Sequence, residues 1–141
     1  MEMIRLATVA VLLSLVAGCG VAAAEEIDTS AGMAAANQWL SAVDRGAYGE
    51  SWDGAAQRFR QSIDRDKWET TVEAVRRPLG AVVVRKLRIA TFARALPNAP
   101  EGEYVVIQFD TRFEKNALAA ETVTSEREKD GTWRVAGYWI K

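Results

Sequence analysis

At 141 residues, with 49% hydrophobic and 26% charged side chains, the chain has the size and balance of one ordinary globular domain with a single core. A net charge of −1 excludes a strong global attraction to nucleic acid, so none is expected as a partner. There is no histidine and only one cysteine, which removes the commonest general base and any Cys/His zinc set. No metal and no cofactor is therefore expected.

Residues 1–24 read as an export signal. Arg5 precedes an apolar run over residues 6–16 that is too short to span a bilayer comfortably, and small residues follow. Two processing sites compete. Val16-Ala-Gly-Cys19 resembles a lipobox, in which residues 1–18 would be removed and Cys19 lipidated to form a membrane anchor; Ala22-Ala-Ala24 is a site for ordinary signal peptidase. Either leaves a domain over residues 25–141 that works outside the cytoplasm, in the periplasm, soluble or as an anchored lipoprotein.

Three helices are predicted next. In the first, Thr29 or Ser30 is the N-cap, Met33, Ala36, Trp39, Leu40 and Val43 form one apolar stripe, and Gly46 caps the end. The second carries Tyr48, Trp52, Ala55, Ala56, Phe59 and Ile63 on one side. The third spans about residues 66–77, with Asp66 and Glu69 at capping-box spacing, Trp68, Val72 and Val75 on a common face, and Pro78 ending it.

Four strands follow. Residues 80–95 are rich in β-formers, with imperfect alternation across Arg85-Lys86 that predicts a bulge. After a Pro-rich loop, residues 103–113 alternate: Val105, Ile107, Phe109 and Phe113 on one face, Tyr104, Gln108, Asp110 and Arg112 on the other. Residues 118–129 form the third strand, and Asp130-Gly131 turns the chain into the fourth. By parity, Trp133, Val135, Gly137 and Trp139 share one face and Tyr138 and Ile140 the other, with Gly137 marking a bulge or a close backbone approach. The fold class is α+β, three N-terminal helices packed on a four-stranded antiparallel sheet.

Trp39-Leu40, Asp44 with Gly46 and Tyr48, Ser51-Trp52, Trp68, Arg77-Pro-Leu-Gly80, Gly102 with Tyr104, Glu121-Thr122 and Gly131 with Trp133 and Val135-Ala-Gly-Tyr138 together resemble an exported bacterial family called domain of unknown function 4019. The resemblance covers residues 34–140. It implies a cystatin-like or nuclear-transport-factor-like domain, and no chemistry.

No catalytic residue is assigned. Candidate ligand-binding residues are Trp52, Tyr104, Asp110, Arg112, Glu121 and Tyr138. Folds of this outline include ketosteroid-isomerase-like and polyketide-cyclase-like enzymes, where a carboxylate in an apolar pocket takes a raised pKa and a tyrosine supports an oxyanion. Asp110 and Glu121 on adjacent strands, with Arg112 nearby, would suit such a site; a solvated cross-strand ion pair is the plainer alternative. Between Arg58 and Arg94, ten basic residues outnumber four acidic ones, a distribution suited to an anionic partner or simply to a solvated face. The leading expectation is a non-catalytic domain that binds a small apolar ligand or an envelope protein. A small lyase or isomerase, a protein interaction module, and a homodimer formed through the sheet, whose last strand is apolar on both sides, are the alternatives.

Overall fold

The computed structural model describes residues 27–141. The export signal, both processing sites and Cys19 lie outside the described residues. The elements are α1 (Ser30–Asp44), α2 (Tyr48–Asp53), α3 (Gln57–Ser62), α4 (Arg65–Arg76) and a 3-10 turn (Arg77–Leu79), then β1 (Val82–Ala93), β2 (Tyr104–Phe113), β3 (Asn116–Arg127) and β4 (Trp133–Ile140). The strands form one antiparallel meander in the order β1-β2-β3-β4. The α+β architecture is thus the expected one, with helices N-terminal to the sheet.

The helices cover one face of the sheet, here called the inner face. Ala36, Trp39, Leu40 and Val43 of α1, Phe59 of α3, and Trp68 and Val72 of α4 meet Val105, Ile107, Phe109, Val123 and Val135 in a single core. Trp39 lies at its centre, in ring contact with Phe59, Trp68 and Tyr138. The indoles of Trp39 and Trp68 both donate to Ser51, to its carbonyl and its hydroxyl respectively, so their polar edges are satisfied inside the core. At Gly32 the sheet comes so close that an added Cβ would sit 2.6 Å from Val105 Cγ2. The carbonyl of Gly32 accepts from Ser125 Oγ at 2.8 Å, tying α1 to β3.

Several local expectations change. The second predicted helix is two, α2 and α3, because the backbone N–H of Ala56 donates not to a helical carbonyl but to Val135 O of β4, at 2.8 Å. Ala55 and Ala56 are wholly buried there, small enough to let the chain touch the sheet. The cap of α4 is Asp64, whose carboxylate accepts from the N–H of Lys67, rather than the box at Asp66. Val75 is exposed; the buried position four residues after Val72 is taken by Arg76. In β1 the register shifts lie between Val82 and Val84 and between Leu87 and Ile89, on either side of Arg85-Lys86.

The last strand departs most. A register shift breaks its simple alternation: Ser125 pairs with Val135 but Thr124 pairs with Gly137, leaving Ala136 as the extra residue of a bulge. Trp133 and Val135 therefore face inward with Tyr138, whereas Gly137 and Trp139 face outward. Simple parity, which put Trp133 and Trp139 together, fails across one inserted residue.

Candidate functional site

Two places concentrate chemistry, one on each face of the sheet. On the inner face Glu121 of β3 is fully buried. It falls there because β3 alternates Ala119, Glu121, Val123 and Ser125 toward the helices, and Glu121 is opposite Phe109 in the register. A carboxylate in that phase must find partners. Arg85 supplies two, Nε at 2.7 Å from Oε1 and Nη2 at 3.1 Å from Oε2. Thr111 donates its hydroxyl to Oε1 at 2.5 Å, and the Tyr138 hydroxyl donates to Oε2.

Arg85 then reaches Asp44, the last residue of α1, through Nη1 to Oδ2 at 2.7 Å and Nη2 to Oδ1 at 2.9 Å. Arg76, near the end of α4, also bonds Asp44, Nη2 to Oδ1 at 2.8 Å, and approaches the Tyr138 hydroxyl at 3.5 Å. Its guanidinium lies over the Phe113 ring, 5.0 Å from the centroid, while Nε is buried without a partner. Two cations and two carboxylates thus join the C-terminal ends of α1 and α4 to all four strands.

The electrostatics keep Arg85, Arg76, Asp44 and Tyr138 in their ordinary charge states. Burial disfavours charge on Arg85 and Arg76, but it is outweighed, at Arg85 by the carboxylates of Asp44 and Glu121 and at Arg76 by the Tyr138 oxygen together with those carboxylates, so both guanidiniums are held more firmly protonated than usual. Burial would likewise raise Asp44, yet its hydrogen bonds from Arg85 and Arg76 dominate and hold it below the usual carboxylate range. Burial, reinforced by the negative charge of Glu121, pushes the Tyr138 hydroxyl well above a free phenol. Tyr138 is therefore a donor at neutral pH, and its proton is already committed to Glu121.

The outer face is different. One row crosses all four strands as Ile89, Gln108, Thr122 and Trp139, and the next as Thr91, Val106, Thr124 and Gly137. Among the described residues, no helix covers these rows. Val84, Ile89, Leu118 and Trp139 are exposed on this face, Leu118 almost completely at 93%. At the β2–β3 hairpin end lies a depression of about 440 Å³ lined by Val84, Lys86, Arg88, Asp110, Arg112 and residues 117–120.

The structure separates the six candidate residues. Glu121 and Tyr138 come together on the inner face, and Asp110 and Arg112 line the outer depression. Asp110 is opposite Ala120 and not near Glu121 in phase, so the expected Asp110/Glu121 pair does not form. Asp110 pairs with Arg88 of β1 instead. Tyr104 is buried, donating to Pro100 O at 2.6 Å and lying 3.5 Å from Arg58, which pairs with Glu126. The Trp52 indole donates to Ile63 O at 2.8 Å and braces the chain after α3.

Sequence reasoning passed over Asp44, Arg76, Arg85 and Thr111. Two signals pointed to them: Arg76 stands in the apolar phase of α4 set by Trp68 and Val72, and Glu121 stands between apolar inward neighbours, Ala119 and Val123. A charge in an apolar phase implies a buried counter-charge.

A family model described as "Protein of unknown function (DUF4019)" matches residues 35–138. The chain belongs to the DUF4019 family. No curated protein matches it. The match takes in all four helices except the first turn or so of α1, and the whole DUF4019 sheet up to Tyr138, so both the inner ion cluster and the outer depression belong to the family's domain.

Proposed function

We propose that this DUF4019 domain is a non-catalytic binding domain of the bacterial cell envelope, which holds an apolar small molecule or another protein on the outer face of its sheet. The observation that carries the reading is the exposure of Val84, Ile89, Leu118 and Trp139 together on that face, within regular strands. Scattered apolar residues are normal on a surface; four on one sheet face that no described helix covers support a binding surface. The inner cluster supports a structural role by contrast: both Glu121 oxygens are occupied, which leaves no lone carboxylate to serve as a base, and the Tyr138 proton is not free for an oxyanion. The export signal read at residues 1–24 supports the envelope location.

The test is native mass spectrometry of the protein isolated gently from its own envelope fraction, beside an Ile89→Ser/Trp139→Ser variant. The expected result is a bound small molecule or partner on the unaltered protein that is lost or greatly reduced in the variant. An unaltered protein that carries nothing, or the same bound mass on both proteins, rejects the reading.

A further inference from the structure

The depression at the hairpin end of the outer face has a charge pattern that the rest of that face lacks. Three cations, Lys86, Arg88 and Arg112, line it with one carboxylate, Asp110. Arg88 is engaged by Asp110, and among the described residues neither Lys86 nor Arg112 has a carboxylate within ion-pair distance. The register explains the grouping: Val84 is opposite Arg112 and Lys86 is opposite Asp110, so alternate outward positions of β1 and β2 bring an aliphatic side chain and two unneutralised cations side by side. Leu118, at the start of β3, forms the other wall and stands almost wholly in solvent.

From this the geometry points to a site for a single-chain anionic amphiphile, a molecule with a carboxylate or phosphate head and an aliphatic tail. The head is received by Arg112, whose planar fork suits two oxygens, with Lys86 as the second cation. The tail lies against Leu118, Val84 and the small side chains of Ala117 and Ala120. The volume, about 440 Å³, falls within the range of small-ligand sites. Asp110 limits the affinity, since it holds one cation and repels the head. The inference rests on the outer face being the working surface, and it names the ligand class for one end of it.

The test uses calorimetric and NMR titration of the purified protein with decanoate and decyl phosphate below their aggregation concentrations, with decanol and inorganic phosphate as tail-only and head-only controls. Both amphiphiles are expected to bind saturably, to shift backbone amides of residues 84–88 and 110–120, and to weaken with added salt. Replacing the two free cations, Lys86→Gln/Arg112→Gln, is expected to weaken decanoate binding by about tenfold or more, as the loss of one charge-assisted hydrogen bond would. Leu118→Ser is expected to weaken it several-fold, and Asp110→Asn to tighten it. All these positions are exposed, and an unchanged amide spectrum elsewhere verifies the fold of each variant.

Decanol binding as well as decanoate, inorganic phosphate binding as well as decyl phosphate, or indifference to the Lys86/Arg112 substitutions overturns the proposal. So does association with anionic phospholipid vesicles without binding of monomeric amphiphile, which would make the surface a membrane contact. If decanoate fails while the Ile89/Trp139 variant still loses a native ligand or partner, the ligand class is wrong and the outer-face reading survives. If that variant loses nothing, the outer-face reading itself falls.

Discussion

Glu121 and Asp110 are carboxylates on neighbouring strands, close in the sheet and one step out of phase, and their fates are opposite. Glu121 is fully buried, receives four hydrogen bonds from Arg85, Thr111 and Tyr138, and sits beneath the ends of two helices. Asp110 stands in solvent, where among the described residues Arg88 is its one ion-pair partner. The same chemical group is a structural clamp in one phase of the pleat and a modulator of surface charge in the other. The difference lies in dielectric surroundings: charges removed from water interact strongly and cannot be left unpaired, whereas exposed pairs are screened and contribute little.

The strongest way to break this contrast is Glu121→Ala. It leaves the Thr111 and Tyr138 hydroxyls without their acceptor in the core and Arg85 with Asp44 as its remaining carboxylate, and a loss of about 3–5 kcal/mol of unfolding free energy is expected by chemical denaturation. A loss under about 1 kcal/mol would show that water or rearrangement replaces the carboxylate easily, and the clamp would not be one.

Tyr138→Phe sharpens the comparison with an intermediate effect, about 1.5–3 kcal/mol at neutral pH, for a hydrogen bond to a charged acceptor. It also carries a pH signature. The folded-state pKa of Tyr138 is raised, so its contribution is complete below the ordinary phenol value of about 10 and is lost as pH rises above it. The unaltered protein should therefore lose stability above about pH 10 more steeply than the Phe variant. Parallel alkaline profiles would show that Tyr138 ionises freely in the fold.

Asp110→Asn should be the smallest change, within about 0.5 kcal/mol, because an exposed ion pair is all that is removed. Its visible consequence should be on anion binding at the neighbouring cations. Destabilisation comparable to the Glu121 variant would mean that the two faces do not differ as described.

Alternation was a sound guide wherever the pleat ran unbroken. Along β2 it placed Val105, Ile107, Phe109 and Phe113 in the core and Asp110 and Arg112 outside, as found. It failed in β4, where the extra residue Ala136 reverses the phase after Val135 and separates Trp133 from Trp139. It also failed between strands: Asp110 and Glu121 looked like partners because each strand was read alone, and only the β2–β3 register, with its own shift between Thr111 and Phe113, puts them on opposite faces. The break between α2 and α3 was hidden for a related reason. Helical spacing continues through Ala55 and Ala56, and it is the hydrogen bond from Ala56 to β4 that interrupts it.

By itself, then, the sequence determined the order of helices and strands, the apolar faces of α1 and β2, the turn at Asp130-Gly131 and the family, all consequences of periodicity and local backbone preference that act within a few residues. Tertiary structure alone decided that Asp44, Arg76, Arg85 and Glu121 meet, that Asp110 and Glu121 do not, and that Lys86 and Arg112 stand beside an exposed leucine without an ion pair to any described carboxylate. Those outcomes depend on strand register and on which face the helices cover, and register is set by contacts between residues far apart in the chain.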